Sequence, residues 1–366
     1  MTLNETALLP VHERLGATMT DFAGWAMPLR YSSDREEHAA VRERAGIFDL
    51  SHMGQIRVEG PDAGAALDYA LVGVLSTMPV GRARYSLMVK EDGGIIDDLI
   101  VYRNDDVDFL VIANGANRLR VGDELTKRSD RLRARAAVQD NTTARCLIAV
   151  QGPASLDIVR SVVDSEHRDE LDTLGYYRHG RFTIGGTPVH IARTGYTGER
   201  GYEIMADAND AVLLWERLAE AGEPHGMRPC GLSSRDTLRL EAGMPLYGNE
   251  LTEDRTPAEA GQGRTVVLDH EFVGEEALRK AGEPSTALYG LAGEGRRAAR
   301  AGSTVSVDGE QVGVITSGVL SPTLGHPIAL AILTAGLELG TEVSVDVRGK
   351  HQPMTIVHLP FYRSES

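Results

Sequence analysis

Cysteine is scarce: only Cys146 and Cys230 occur in 366 residues, far apart and outside any C-x-x-C spacing. That excludes a disulfide framework and a thiolate zinc site, and both are expected as reduced core thiols. Aromatic residues are few, at 5%. No stretch reaches the roughly 20 apolar residues of a membrane-spanning helix. Glu5, His12, Glu13 and Arg14 interrupt the N-terminal segment where a signal peptide needs an apolar core, so a cytoplasmic protein is expected. Positive charge is also short, with 38 Lys plus Arg against 53 Asp plus Glu and a net charge of −15. Such a field repels nucleic-acid phosphates and anionic lipid, so neither nucleic acid nor membrane is expected as a partner. An anionic ligand would have to be met by local arginines. Common catalytic signatures are missing as well: there is no G-x-x-x-x-G-K-[ST] and no H-E-x-x-H. Asp49, Ser51 and His52 have the residue types of a hydrolase triad, but they are sequence neighbours, whereas a triad gathers its groups from separate elements. Gly195, Gly198 and Gly201 lead into Tyr202-Glu203-Ile204-Met205, a strand rather than the long helix of a dinucleotide site, so a hairpin loop is expected there.

What is present describes an ordinary folded chain of two or three domains, 42% hydrophobic and 25% charged. Forty glycines without a collagen period indicate many tight turns between short strands. Strand patterns fall at 55–59, 85–89, 99–102 and 109–112, and helical patterns at 36–43, 63–72 and 117–128. A second set follows, with strands near 147–150, 182–184, 189–192 and 202–205 and helices at 154–163 and 211–221. Ser233 with Asp236 three residues on reads as a capping box, with Gly243 ending that helix. Residues 279–285 are polar and read as a linker. Beyond them, strands at 304–307, 311–316, 328–333, 342–347 and 354–358 alternate with glycine turns, as in a small β-barrel or sandwich.

Three segments carry possible chemistry. Asp97-Asp98 stands where a glycine turn enters an apolar strand, and the two-residue period sends the side chains to opposite faces. One acid can then meet solvent or a charge partner while the other faces inward. On pattern alone the two are turn-capping acids or one of them is functional. Residues 22–29 (FAGWAMPL) and 48–54 (FDLSHMG) are core packing or the lining of a flat aromatic pocket. Residues 193–203 (RTGYTGERGYE) pair a tyrosine with a carboxylate. They form either a surface hairpin or a reader of an amino-pyrimidinone edge.

Those segments, together with residues 41–54 (VRERAGIFDLSHMG), 85–102 (YSLMVKEDGGIIDDLIVY), 231–251 (GLSSRDTLRLEAGMPLYGNEL), 315–331 (ITSGVLSPTLGHPIALA) and 360–363 (PFYR), resemble the aminomethyltransferase (T-protein) family of the glycine cleavage system. The resemblance runs from about residue 9 to 363. It implies an α+β cloverleaf of three units around a central folate cavity: two α+β units within 1–278, then a C-terminal β-barrel at 286–366. The implied reaction moves the methylene carbon of an aminomethyl group from the dihydrolipoyl arm of lipoylated H-protein to tetrahydrofolate. Its products are 5,10-methylenetetrahydrofolate and ammonia. Tetrahydrofolate is the co-substrate, and the family uses no metal and no flavin.

Carried over by matching positions, Asp98 is the expected catalytic residue, near N5 and N10 of the folate. Glu203 would read the pterin with Tyr196 beside it, and Tyr85 and Asn114 would contact the folate. Arg235 would lie near its p-aminobenzoyl and glutamate end, while Met53 and Arg300 are weaker matches. Arg264 stands where many family members have Trp, and Val267 where they have Lys; Arg264 is expected to pack over the p-aminobenzoyl ring or to hold the glutamate tail or H-protein. Two alternatives share the scaffold: a folate-dependent demethylase, and a folate binder without turnover. The intact acid pair and the GMPLYGNEL segment favour the aminomethyl reaction.

Overall fold

The computed structural model describes residues 2–364. A five-stranded antiparallel sheet orders Ala83–Val89, Ile95–Arg103, Asp108–Ala113, Gly54–Glu59 and Ala137–Asp140. Helices Ala63–Ala70 and Arg118–Leu132 pack on it through Ala63, Leu67, Val121 and Leu125, the i, i+4 positions of their apolar stripes. A second, six-stranded sheet runs His179–Ile184, Thr187–Ala192, Gly201–Asp207, Arg145–Gln151, Gly46–Asp49 and Arg228–Pro229. Its core includes Trp215, Leu214 and Leu218 of helix Ala211–Gly222. Six further strands, from Thr286–Gly293 to His351–Val357, close into a barrel. Gly46–Asp49 crosses from the N-terminal third into the second sheet; it is buried on both faces, so it lacks the alternation that marks a half-buried strand. The first barrel strand, Thr286–Gly293, escaped the sequence reading for a related reason: its residues are partly or fully buried without alternating.

The capping box expected at Ser233 and Asp236 does not form. Helix Leu232–Glu241 begins two residues earlier, with Gly231 at its N-cap, and Asp236 pairs instead with Arg239. The cap comes from another element: the buried Glu37 carboxylate of helix Asp34–Glu43 accepts from Gly231 N at 2.8 Å and from Tyr31 N and Ser32 N at 2.7 and 2.8 Å. A negative group at a helix N-terminus is favoured, and here it joins three chain segments. Gly231 is required for space: a Cβ there would lie 2.3 Å from Leu29 O and 2.6 Å from Arg30 N. Gly231→Ala is expected to cost about 1–3 kcal/mol, the range for overpacking, read as a lower urea midpoint with unchanged m.

Candidate active site

Where the two sheets, the 243–247 segment and the hairpin loop 193–200 meet, a cavity of about 450 Å³ opens. It is lined by Met53, Tyr85, Asp98, Asn114, Tyr196, Glu203 and Arg235, among others. Arg264 lies in the short 3-10 turn Gly263–Thr265 and Arg300 follows the first barrel strand. Both are exposed and outside this lining, although Gln262 reaches it.

Asp97 and Asp98 do not part as the two-residue period suggests: both carboxylates reach the same Asn114 amide, and among the described residues neither pairs with a cation. Asp97 is buried and accepts from Asn114 N at 3.0 Å, Asn114 Nδ2 at 2.9 Å and Asn117 Nδ2 at 2.7 Å. Asp98 is half-buried with its open part toward the cavity, and accepts from Asn114 Nδ2 at 2.7 Å and Tyr85 OH at 3.2 Å. One amide nitrogen thus bridges both carboxylates. Burial pushes both above the usual carboxylate range. The charge of Asp98 adds to this at Asp97, while the Asn donors, and Tyr85 at Asp98, pull the other way.

Glu203 Oε2 accepts from Tyr102 OH at 3.2 Å and from the Thr194 hydroxyl. The loop before it is held by Gln151, which accepts from Thr197 Oγ1 at 2.9 Å and donates to Thr194 O at 3.2 Å. Gly195 and Gly201 are needed for that approach, since a Cβ on either would fall 2.2–2.3 Å from the Gln151 amide. Tyr196 donates to Pro245 O, tying the hairpin loop to the far wall. The Arg235 guanidinium lies 4.8 Å over the Tyr196 ring and makes no hydrogen bond or ion pair among the described residues. It is therefore a cation available to a ligand carboxylate. Among the described residues no cluster of three His, Cys, Asp or Glu side chains is placed to hold a metal. No helix among them is long and apolar enough to cross a membrane.

Two family models match the chain in succession. One described as the GCVT N-terminal domain matches residues 8–270, and one described as the glycine cleavage T-protein C-terminal barrel domain matches residues 287–363. The chain belongs to the glycine cleavage T-protein family. It is 54% identical to an aminomethyltransferase of Streptomyces avermitilis, with 98% of each chain covered. It is 52% identical to one of Cutibacterium acnes, with 99% of each covered. Its backbone is similar to the crystal structure of glycine cleavage system aminomethyltransferase T from Bartonella henselae, with a TM-score of 0.90, 34% identity and 99% of each chain covered. The T-protein cavity also contains groups not named as site candidates from the sequence: Tyr102 behind Glu203, Tyr177 and the 243–247 wall, while His52 comes from the 48–54 segment read as core packing or a pocket lining. Tyr102 had a signal, since Asp98, Ile100 and Tyr102 share one strand face. The wall had none, because its position depends on a buried Arg239–Glu250 pair. Arg239 donates to Met244 O at 3.1 Å, and Glu250 accepts from Leu246 N at 2.9 Å.

Proposed function

We propose that this T-protein family member is an aminomethyltransferase of the glycine cleavage system, acting in the cytoplasm on tetrahydrofolate and the aminomethyl-loaded arm of H-protein. The observation that carries the reading is Asp98, an acid with no cationic partner, held by Tyr85 and Asn114 in the wall of the same cavity as Glu203 and Arg235. A carboxylate so placed can orient the attacking folate nitrogen and stabilise the iminium cation that forms as ammonia leaves. Glu203, fixed by Tyr102 and Thr194, accepts from the amino and N3–H edge of the pterin. Arg235 takes a carboxylate of the glutamate tail. Arg264, exposed and outside the lining, is available to a longer tail or to H-protein rather than to the pterin.

Purified protein given tetrahydrofolate and aminomethyl-loaded H-protein is expected to release ammonia and 5,10-methylenetetrahydrofolate in equal amounts. Folate binding without ammonia release would overturn the aminomethyl reading and direct the search to small methyl donors. Glu203→Gln is expected to weaken tetrahydrofolate binding by about 10–100-fold, the loss of one charge-assisted, paired hydrogen bond, measured by titration calorimetry.

A further inference from the structure

His52 is a polar residue of the cavity wall that the reading above does not use. It is 1% exposed, and its Nδ1 is enclosed without a hydrogen-bond partner. The neighbouring acid is committed elsewhere: Asp49 pairs with His12 Nε2 at 2.9 Å and accepts from Ser51 N at 2.8 Å. Asp49, Ser51 and His52 therefore form no relay. The same contacts pin the turn that carries His52, and Met53 N closes it on Leu50 O at 2.9 Å. The ring packs edge-on against Phe22, with centroids 5.4 Å apart at 88°.

The enclosed nitrogen fixes the tautomer. An orphaned N–H in a dry site costs more than an orphaned lone pair, so Nδ1 is the bare nitrogen and Nε2 carries the proton. Since Nδ1 is closed off and His52 lines the cavity, the ring meets the cavity through its Nε2 edge. Burial, aided by the Arg235 charge and opposed by Asp49, pushes the imidazole down to about 4, so it stays neutral at working pH. Most donors around the cavity are already engaged: Asn114 and Tyr85 with the acid pair, Tyr196 with Pro245 O, Tyr102 with Glu203. Arg235 and His52 are among those that remain, with the Tyr177 hydroxyl and the Gln262 amide. The cation suits the folate carboxylate. The neutral imidazole donor, set between Met53 and Phe22, which is 38% exposed at the cavity edge, suits an uncharged aliphatic arm and its sulfur.

Resting on the aminomethyltransferase reading, we propose that His52 Nε2–H donates a hydrogen bond to the sulfur of the carrier arm as the carbon–sulfur bond breaks. Two bonds to the transferred carbon break, to sulfur and to the amine, and two form, to N5 and N10 of tetrahydrofolate. The electron pairs of the broken bonds leave with sulfur and nitrogen. The two protons released by N5 and N10 end on them as thiol and ammonia. His52 loses no proton; it stabilises charge developing on sulfur.

The test uses His52→Phe, which keeps a ring against Phe22, and His52→Gln, whose amide nitrogen occupies the Nε2 position. His52→Asn places its amide nearer Nδ1. With active parent enzyme, His52→Phe is expected to lower single-turnover transfer from H-protein about tenfold, with tetrahydrofolate affinity within about twofold of the parent. His52→Gln should recover most of the rate and His52→Asn little, and the pH profile should keep its shape in all three. Ring 15N shifts of the parent should report a protonated Nε2 and a bare Nδ1. The proposal is overturned if His52→Phe transfers at the parent rate, if the loss falls on folate affinity, or if Nδ1 carries the proton. An inactive parent fails the aminomethyl reading itself, and the 15N and folate-affinity measurements still report on His52.

Discussion

Asp98→Asn is expected to abolish most turnover while making the protein more stable. Loss of one electrostatic group acting on the reacting atoms typically costs about 10²–10³-fold in rate, and the amide keeps the volume and the contact with Asn114. The stability change has the opposite sign. The folded chain holds Asp98 above its ordinary value, so it binds the proton more tightly than the unfolded chain does. That contribution is fully present below the unfolded value and is lost as pH rises through the folded one. At pH 8 the parent therefore keeps a charge in the cavity wall at a cost, reduced by the solvent that reaches the cavity, of about 1–2 kcal/mol. Thermal unfolding should show the variant melting higher than the parent, by more at pH 8 than at pH 5. A variant that melts lower at every pH would show that Asp98 is structural. Asp97 titrates in the same direction, so the variant's pH dependence is flattened rather than removed.

Glu241→Ala is expected to produce the largest loss of stability. Glu241 is completely buried in helix Leu232–Glu241, where its carboxylate joins three parts of the molecule. Oε2 meets His38 Nε2 at 3.1 Å and Arg42 Nη2 at 2.9 Å, both on helix Asp34–Glu43. From the barrel, Thr323 Oγ1 donates to Oε2 at 2.8 Å, Thr323 N donates to Oε1 at 3.0 Å, and Ser321 donates to Oε1. Arg42 continues to Thr197 O and Glu199 in the hairpin loop, both at 2.8 Å. Removing one partner of such a group leaves buried charge uncompensated, at about 3–5 kcal/mol, and a fall in Tm of about 5–15 °C is expected. Burial alone would raise the Glu241 pKa, but the His38 hydrogen bond and charge, the Ser321 bond and Arg42 outweigh it and bring it to about 2. The stabilisation is thus present above the ordinary glutamate value and is lost as pH falls toward 2, so the gap between parent and variant should close in acid. Glu241→Gln, which keeps the shape and loses the charge, should fall between them. A Tm within 2 °C of the parent for Glu241→Ala would remove this group from the account of how the barrel is fastened.

The two predictions separate what is local from what is assembled. The local pattern of residues was enough for most elements: Ser33 caps helix Asp34–Glu43, and the apolar runs at 55–59, 85–89, 99–102 and 109–112 fall within strands of the first sheet. Pattern left the acid pair open; the family resemblance, carried by contiguous motifs, brought Asp98, Tyr85, Asn114, Tyr196, Glu203, Arg235 and Met53 forward as candidates. It failed where an element is buried on both faces, as at Gly46–Asp49, since periodicity needs a contrast between two sides. It failed again at Ser233, where a local cap lost to Glu37 from a helix some 200 residues away, whose charge satisfies the backbone better than a hydroxyl.

Sequence alone determined the α+β composition, an all-β terminal unit left open between barrel and sandwich, and the residue types available to the cavity, because those depend on short-range patterning and on motifs of adjacent residues. Tertiary structure alone decided that Asn114 bridges both acids, that Arg235 is left without a hydrogen bond or ion pair among the described residues, that His52 is isolated from Asp49, and that Arg264 and Arg300 stand outside the cavity lining. Each of these is a matter of which donor reaches which acceptor when three units meet, and hydrogen-bond distances across tens or hundreds of residues have no period for a sequence to display.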